Sequence, residues 1–590
     1  MPAFWDAFKR HRQIFRAHWL TFVAISYGLD LLIQFLVIPS FKFATTWILQ
    51  AGEIPFVSYQ NVVTILTHHP LVVIALFLEL LALLWVIYAQ FTLLLIAVRQ
   101  LARDRFDWRN WLGESWASLA HMRLGSLALL LGYLSLILPV SNLIFKTPLL
   151  TKVKVPAFIL DYLTRNGWLI SGTVLGYVVI LAFGVRLLYT LPTMVYHHVP
   201  TKAAFISSWQ RTAHSQWWPL VKQLLALAVL TTLVSLLFYL TSLVAQAGFD
   251  LLPAPWPHHL ATANLTLVQL GSEFLIVWQT ILSLLILIAD ELPSSPLAFG
   301  HRRATWRQWG LPVALIALFT LAAAANASTY FSGHSLTRPL TIAHRGVVNG
   351  NGVQNTIPAL KKTAHFHPDF VEMDVHETKD HQFVVMHDEN LRALTGVNQA
   401  PYQLTLRQLT ALTAKENGHQ APVASFDQYL KAAQQLHQPL LVEIKTTPHD
   451  SATMIQRFNQ RYRATLLAHH DRVHSLDYAV VQQLQRANPA LTVYYIQPYN
   501  FTFPNSAADG YSMEYSTLNQ DFITQAHRQH KPVLAWDANE PAVIKQLIFD
   551  HADGLITDNL TTVQAQIKAL TGHQSYLNHC SNGPNCGSWI

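Results

Sequence analysis

Two short apolar runs in the C-terminal half end in chemically active side chains: TIAHRG at residues 341–346 and FVEMDVH at residues 370–376. More runs of this kind follow, separated by stretches with helical periodicity such as SFDQYLKAAQQLH. Strands that alternate with helices form parallel sheets, and about eight such units in roughly 240 residues predict a closed α/β (β/α)8 barrel. The other candidate strands are FVVMHD (383–388), LLVEIK (440–445), VHSL (473–476), LTVYYI (491–496), YSMEY (511–515), PVLAWD (532–537) and GLITD (554–558).

Polar side chains gather at the ends of these runs, where a barrel of this type carries its catalytic groups. The residues are His344, Arg345, Glu372, Asp374, His387, Asp388, Glu443 and Lys445. Since side chains alternate along a strand, Glu372 and Asp374 share one face. Taken singly, each motif is typical of a solvated strand end or a packed histidine. Their joint placement at consecutive strand ends favours a site.

Three carboxylates without sulfur, from Glu372, Asp374 and Glu443, predict a hard oxygen site for Ca²⁺ or Mg²⁺. Arginine and lysine beside such a cation bind anionic oxygens. Histidines, whose ordinary pKa lies near neutrality, serve acid–base chemistry. The set therefore predicts a phosphate-processing site.

The N-terminal half has a different composition. The chain of 590 residues is 51% hydrophobic and 12% charged, whereas soluble chains are about a quarter charged. Residues 1–330 carry a net charge of +9 and residues 331–590 a net charge of −2. A simple soluble enzyme is therefore excluded. Because the basic half is also the apolar one, its charges indicate membrane loops rather than a nucleic-acid surface, and we expect no nucleic-acid partner.

Seven apolar runs in this half are long enough to cross a lipid bilayer as helices. They lie at about 18–39, 70–98, 124–145, 167–192, 217–246, 265–289 and 309–328. The intervening segment 41–69 is compatible with a further short interfacial helix. We therefore expect a multi-span α-helical membrane domain at 1–330, a catalytic barrel at 338–570 and a tail at 571–590.

The connecting loops predict the orientation. Fourteen Lys and Arg residues lie on the side of the N-terminus and five on the other side. Because positive loops stay in the cytoplasm, the N-terminus is predicted to be cytoplasmic. An odd number of spans then places the barrel outside the cell membrane.

Ionisable residues inside predicted spans include Asp30, Glu79, Arg186 and Glu273. Such residues line polar pathways or pair locally within the bundle, and we favour local pairing. The first possibility defines an alternative function, a membrane transporter or sensor whose barrel only binds a phosphodiester. The two histidines count against it, because a binding domain needs no acid–base pair.

The two cysteines, Cys580 and Cys586, both lie in the tail. A zinc site built from thiolates is therefore excluded. An oxidising compartment would allow them to form a disulfide, and free thiols are the other possibility.

The ordered motifs of the C-terminal half resemble the glycerophosphodiester phosphodiesterase family over residues 338–570. They are His344-Arg345-Gly346, Asn355-Thr356, Glu372-Met373-Asp374, Thr378-Lys379-Asp380, His387-Asp388, Glu443-Ile444-Lys445, Trp536, Asp553-Gly554 and Thr557-Asp558. The apolar half is similar in architecture to the membrane domain fused to one bacterial branch of that family.

The resemblance implies a barrel that hydrolyses glycerophosphodiesters to glycerol 3-phosphate and an alcohol with a divalent cation. The implied roles are metal binding by Glu372, Asp374 and Glu443, acid–base catalysis by His344 and His387, and phosphate binding by Arg345 and Lys445. Asn355, Asp388 and Trp536 are expected nearby. Which histidine is the acid stays open at this point.

The chain departs from the family pattern at Gln354, where the family has Glu, and at His381, where it often has Gly. Because the implied metal ligands are retained, we expect tuning rather than inactivation. The expected substrates are deacylated phospholipid headgroups, lysophospholipids at the bilayer surface, or polyglycerophosphate polymers. Lysophospholipase D-like chemistry would use the same site.

Overall fold

The computed structural model of the protein describes residues 2–54, 57, 62–122, 166–214, 216–292, 306–332, 336–499 and 503–570, short pieces between 126 and 164, and residues 575–577. Most of the predicted span 124–145 lies outside the described residues, as do Cys580 and Cys586.

The N-terminal half is helical. A π-helical segment, Ile33–Val37, joins the first two helices into one long element. The helices are Pro2–Leu32, Ile38–Ala51, Val62–His68, Pro70–Ala102, Trp108–Ala120, Gly167–Arg186, Thr190–His197, Thr201–Arg211, Trp217–Phe249, Trp256–Leu287 and Trp306–Ser332.

Among the described residues, six helical segments are long and apolar enough to cross a membrane. They are Phe8–Ala51, Pro70–Ala102, Gly167–His197, Trp217–Phe249, Trp256–Leu287 and Gly310–Phe331. Six of the seven predicted runs fall within these segments, and the seventh is the run at 124–145.

Two of the ionisable residues inside the spans have local partners. Glu79 Oε1 accepts a hydrogen bond from Thr45 Oγ1 at 2.6 Å. Arg186 donates to the backbone oxygens of Thr212 and Trp209 at 2.5 and 2.7 Å, and its guanidinium lies 4.3 Å from the centre of the Trp209 ring. These contacts favour local pairing over a polar pathway.

The C-terminal half is a closed barrel. Eight parallel strands are hydrogen-bonded in the order β1-β11-β10-β9-β8-β7-β6-β2, and β2 pairs again with β1. The strands of this half are β1 Leu340–Ala343, β2 Phe370–Glu377, β3 Phe383–Val385, β4 Thr413–Glu416, β5 His419–Pro422, β6 Leu440–Ile444, β7 Arg472–Ser475, β8 Val493–Gln497, β9 Gly510–Glu514, β10 Val533–Trp536 and β11 Gly554–Thr557. The predicted (β/α)8 barrel is confirmed.

Helices surround the barrel between successive strands. They are Ile357–Ala364, Arg392–Thr395, Leu406–Thr410, Phe426–Gln435, Met454–Ala468, Tyr478–Ala487, Gln520–Arg528, Pro541–Phe549 and Leu560–Leu570. Phe426–Gln435 begins with a capping box, in which Ser425 accepts from the amide of Gln428 and the Gln428 side chain accepts from the amide of Ser425. This local signal explains why the SFDQYLKAAQQLH pattern starts a helix where it does.

The barrel interior is divided into an apolar and a polar layer. Near the N-terminal ends of the strands, one cluster of buried side chains fills the barrel: Ile342, Phe370, Leu441, Tyr494, Leu534 and Ile556. Two residues further along β2 and β6, the same face carries Glu372 and Glu443. Because side chains on one face of a strand recur every two residues, the polar residues of the site lie directly above a packed apolar layer inside the barrel.

One predicted strand is not part of the barrel. The run 383–388 forms only the short strand β3, which pairs antiparallel with the end of β2 through Val375 and Val385. The expectation that His387 closes a barrel strand is therefore wrong: His387 follows an antiparallel extension of β2. The hairpin of β4 and β5 was also not predicted. Neither strand direction nor pairing partner is encoded in the local apolar pattern.

Candidate active site

The strand register aligns the central side chains of the site. Asp374 on β2 pairs with Glu443 on β6, and Glu443 pairs with His474 on β7. Glu372 lies two residues before Asp374 on the same face. One ligand atom from each of Glu372, Glu443 and His474 lies within 4.8 Å of the others, and all three residues are buried.

Asp374 lies beside this group, where polar partners hold its carboxylate. Its Oδ2 accepts from Asn355 Nδ2 at 2.8 Å, and its backbone amide donates to Asn355 Oδ1 at 3.1 Å. Burial raises the pKa of Asp374, but Lys445, His387 and Arg345 lower it by more, so the pKa lies well below its usual value. Asp374 is therefore ionised at neutral pH.

Lys445 bridges two of the carboxylates. Its Nζ lies 2.6 Å from Glu443 Oε1 and 3.2 Å from Asp374 Oδ1. Burial lowers the pKa of Lys445, but Glu443 and Asp374 raise it by more, so the ammonium stays charged. The site thus holds a fixed positive charge among three carboxylates.

Arg345 is held by its backbone as well as by its side chain. It adopts a left-handed conformation with φ of 51°, and its backbone amide donates to Glu372 Oε2 at 2.8 Å. Its Nη1 donates to Gln354 Oε1 at 2.8 Å. An unusual backbone conformation at a non-glycine residue is typical of functional sites.

Gln354, where the family pattern has Glu, is hydrogen-bonded to Glu416 in the hairpin of β4 and β5. The Gln354 Nε2 donates to Glu416 Oε1 at 2.6 Å, and its backbone amide donates to Glu416 Oε2 at 2.9 Å. Gln354 therefore links Arg345 to Glu416. A glutamate at position 354 would face the Glu416 carboxylate, so the amide suits this neighbour.

His344 is oriented by a carboxylate network at the ends of β10 and β11. Its Nδ1 donates to Asp558 Oδ1 at 2.9 Å and lies 3.8 Å from Asp537 Oδ1. Asn539 Nδ2 donates to the other Asp558 oxygen at 2.9 Å. Burial lowers the pKa of His344, but Asp537 and Asp558 raise it by more, to about 9. His344 is therefore protonated at neutral pH.

His387 lines a cleft of about 430 Å³ together with Glu443 and Lys445. Its Nδ1 donates to Asp388 Oδ1 at 2.9 Å, which leaves Nε2 for a reacting group. The hydrogen bond from His387 is the main cause that holds the pKa of Asp388 below its usual value. Each candidate histidine thus has its own carboxylate partner.

The structure brings the site residues predicted from the sequence to one end of the barrel. Trp536 lies at the C-terminal end of β10, and Asn355 contacts Asp374. Sequence reasoning did not identify His474, Asp537, Asn539 or Glu416. His474 stood in the predicted strand VHSL, but only the strand register places it beside Glu443.

The donor set fits a divalent cation. Buried carboxylates crowd together at Glu372 and Glu443, which costs free energy unless a positive charge is near. Neither ring nitrogen of His474 has a hydrogen-bond partner among the described residues. A buried group of oxygen and nitrogen donors, some of which lack a hydrogen-bond partner among the described residues, is typical of metal sites.

The chain matches two family models. The membrane domain of glycerophosphoryl diester phosphodiesterase matches residues 8–323, and the glycerophosphoryl diester phosphodiesterase family matches residues 344–562. The chain therefore belongs to the glycerophosphoryl diester phosphodiesterase family, in its membrane-fused form. It is a multi-pass membrane enzyme, a phosphoric diester hydrolase.

Individual relatives are similar to part of the chain. YhdW of Bacillus subtilis is 26% identical over 233 residues, which are 37% of this chain and 93% of that protein. The human lysophospholipase D GDPD1 is 47% identical over 57 residues, 10% of this chain and 18% of that protein. A crystal structure of a glycerophosphodiester phosphodiesterase from Parabacteroides distasonis is 23% identical, covers 39% of this chain and 98% of its own, and has a TM-score of 0.35.

Proposed function

We propose that the barrel hydrolyses glycerophosphodiesters to glycerol 3-phosphate and an alcohol, assisted by a divalent cation. The observation that carries this proposal is the convergence, at one end of the barrel, of a buried group of potential metal ligands and two histidines that each have a carboxylate partner. The family match supports the reaction class.

Glu372, Asp374 and Glu443 would hold the cation, and carboxylates by themselves favour Ca²⁺ or Mg²⁺. When bound, the cation supplies charge stabilisation to the phosphate oxygens. Arg345 and Lys445 would bind the anionic oxygens of the substrate from either side. Phosphoryl transfer depends mainly on positioning and charge, which this arrangement provides.

The histidines divide the proton transfers. His344, with its pKa raised to about 9, is suited to donate a proton to the leaving alkoxide as the phosphorus–oxygen bond breaks. His387 takes the proton of the attacking oxygen, which belongs either to water or to the neighbouring glycerol hydroxyl. In the second case the alcohol leaves and a cyclic phosphate forms, and a second attack by water opens this ring to give glycerol 3-phosphate. Protonation of the leaving group balances deprotonation of the nucleophile, and the pair recovers its starting state after proton exchange with water.

Release of glycerol 3-phosphate from glycerophosphodiesters by the detergent-purified chain tests this proposal. We expect release that a chelator abolishes and that Ca²⁺ or Mg²⁺ restores. His344→Ala should abolish release, whereas His419→Gln, a change at an exposed histidine of the β5 hairpin, should not. Equal release by wild type and His344→Ala would overturn the assignment.

We propose that the barrel lies outside the cell and the N-terminus inside. Contacts within the membrane half support the grouping of loops on which this orientation depends. They link the N-terminal helix to the loops that follow the second, fourth and sixth predicted spans. His18 Nε2 lies 3.6 Å from Asp104 Oδ1, and Arg103 donates to the backbone oxygen of Glu291 at 2.6 Å. His197 lies 3.3 Å from the Glu291 carboxylate.

The barrel and the tail contact the loops that follow the first and fifth predicted spans. Lys42 Nζ lies 2.9 Å from Asp521 Oδ2, and the Tyr499 hydroxyl donates to the Val57 oxygen at 2.8 Å. The backbone amide of Leu577 donates to Asp250 at 2.8 Å. The loop charges then place the barrel side outside.

Single-cysteine reporters test the orientation in a background without Cys580 and Cys586. We expect a membrane-impermeant maleimide to label Lys431→Cys, on an exposed barrel helix, in intact cells. Arg109→Cys, in the second loop, should react only after permeabilisation. The reverse pattern would place the barrel in the cytoplasm.

Lysophospholipids are a second candidate substrate. The match to human lysophospholipase D supports them. In addition, Phe43 and Trp47 are 74% and 63% exposed on the helix whose Lys42 contacts the barrel. We expect hydrolysis of lysophospholipid in nanodiscs at a rate comparable to that of soluble glycerophosphodiesters. Activity on the soluble diesters alone would exclude this substrate, and release from polyglycerophosphate would point to a wall polymer.

A further inference from the structure

His474 is a buried histidine with an unusual environment. Its side chain is 3% exposed, and its place on β7 is fixed by pairing with Glu443 on β6. Neither ring nitrogen has a hydrogen-bond partner within the part of the chain that the structure describes. Because buried polar groups are nearly always hydrogen-bonded, this absence needs a physical explanation.

An ion pair with Glu372 is a poor explanation. His474 Nε2 lies 3.6 Å from Glu372 Oε1, which is too long for a hydrogen bond. A charged imidazole buried without hydrogen bonds would carry a large desolvation cost. Two donors bound to one ion at about 2.1 Å each lie roughly 3.0–3.5 Å apart, close to the separation between these two atoms.

The surroundings orient these donors. The Arg345 backbone amide occupies Glu372 Oε2, so that Oε1 is the oxygen that faces His474. Ligands of a metal are commonly held in this way by hydrogen bonds to their other atoms. Glu443 contributes the third donor, within 4.8 Å of the other two.

We propose that His474 is a nitrogen ligand of the cation held by Glu372 and Glu443, and that it shifts the preference of the site from Ca²⁺ toward Mn²⁺ or Zn²⁺. The proposal rests on the cation assigned to this site in the proposed function, and it adds the ligand and the class of metal. Imidazole nitrogen binds first-row transition ions well, whereas Ca²⁺ takes oxygen ligands almost exclusively.

Metal affinities of the full-length protein in detergent test the preference. After removal of metal by a chelator, competition with an indicator dye measures binding of Mn²⁺, Zn²⁺ and Ca²⁺. We expect His474→Gln to weaken Mn²⁺ and Zn²⁺ binding at least about tenfold, and to change Ca²⁺ affinity by less than about threefold, because the amide oxygen is a hard donor. Unchanged Mn²⁺ and Zn²⁺ affinities would overturn the proposal.

Pulsed electron paramagnetic resonance of the Mn²⁺-loaded protein tests the bond directly. We expect a coupling to ¹⁴N in the wild type that His474→Gln and His474→Leu remove. The same coupling should persist in His344→Ala and His387→Gln. A wild type without ¹⁴N coupling, or a coupling lost only with His344 or His387, would overturn the proposal even if the His474 variants fail to fold.

The same measurements separate this inference from the proposed function. Glu443→Gln should weaken binding of all three ions, since a carboxylate is lost whatever the metal. A wild type that binds none of them would overturn both the cation and His474 as its ligand. A wild type that binds metal without a nitrogen coupling would overturn only the ligand assignment.

Discussion

The two halves of the molecule differ in the partners that surround their charged side chains. In the membrane half, Glu79 and Arg186 each find partners close by: a threonine hydroxyl for the first, and two backbone oxygens and an indole ring for the second. In the barrel, Glu372 and Glu443 lie beside each other and beside an imidazole that has no hydrogen bond within the described residues.

This difference distinguishes charged side chains that are paired within the fold from charged side chains that are arranged to bind a ligand. A charged side chain with local partners gains little from a ligand, whereas a crowded group of buried carboxylates is stabilised by a cation. Both halves are rich in buried apolar side chains, so composition does not reveal the distinction. It follows that substitutions in the two halves should differ in what they damage.

The largest expected effect comes from His387→Gln. Loss of one acid–base group typically lowers the rate by about 10²–10⁴-fold. We expect kcat to fall by at least about a hundredfold, with the metal affinity unchanged, because His387 is not among the buried donors. Rates of glycerol 3-phosphate release with His419→Gln as the matched control check this. A loss shared by both variants would mean that the effect is not specific to the cleft.

Asp558→Asn should change the pH dependence. Asp537 and Asp558 outweigh burial and raise the pKa of His344 to about 9, so activity that needs protonated His344 persists until the pH approaches 9 and then falls. Removing the Asp558 charge lowers that pKa, and a shift of about one and a half units moves the alkaline limb to lower pH by the same amount. We expect about a tenfold loss at pH 8.5 and little loss at pH 6.5.

Profiles of kcat/KM between pH 5 and 10 test the role of Asp558. Asp427→Asn, which breaks the exposed ion pair with Arg461, is the control and should leave the profile unchanged. An alkaline limb that stays in place in Asp558→Asn would show that His344 is not the group that must carry the proton.

A smaller effect is expected where Gln354 links Arg345 to the hairpin. Gln354→Glu places two carboxylates in contact with each other and should raise KM roughly threefold to tenfold, the size of one hydrogen bond. Adding Glu416→Gln restores one carboxylate and one amide, and the double variant should regain most of the loss. KM values of the two single variants and the double variant measure this coupling. Additive effects would argue against a linked pair.

The smallest effect on catalysis is expected in the membrane half. Arg186→Met leaves the backbone oxygens of Thr212 and Trp209 without their donor. Because the first bond is partly buried and the second is exposed, we expect a cost of about 1 kcal/mol or less for each. We expect a lower melting temperature in detergent but kcat/KM within about twofold of wild type. A strong loss of activity in a protein that melts normally would instead show that Arg186 contributes to the reaction and not only to the fold.

Much of the barrel was predictable from local patterns. The eight barrel strands coincide with predicted apolar runs to within three residues at each end, because buried parallel strands are continuous apolar stretches. The prediction that the run 383–388 is a barrel strand was wrong, because a strand that extends the sheet in antiparallel direction has the same apolar composition. The motif residues at the strand ends were identifiable because their polar side chains interrupt these apolar runs.

The partners of those residues were not predictable. Asp537 and Asn539 act on His344 from a neighbouring strand end, and Glu416 reaches Gln354 from a hairpin. No spacing in the sequence relates these positions, because each contact joins segments that only strand order brings together. His474 belongs to the same group.

The sequence alone determined the two-part architecture, the alternation of strands and helices, and the family to which the chain belongs. These properties depend on composition, periodicity and ordered motifs, which are local. The tertiary structure alone decided which strand lies beside which and in what register, and so that Asp374, Glu443 and His474 share one level of the barrel. The physical reason is that register arises from backbone hydrogen bonds between segments that are distant in the sequence. Every residue type except proline can form these bonds, so the sequence pattern does not reveal which segments pair.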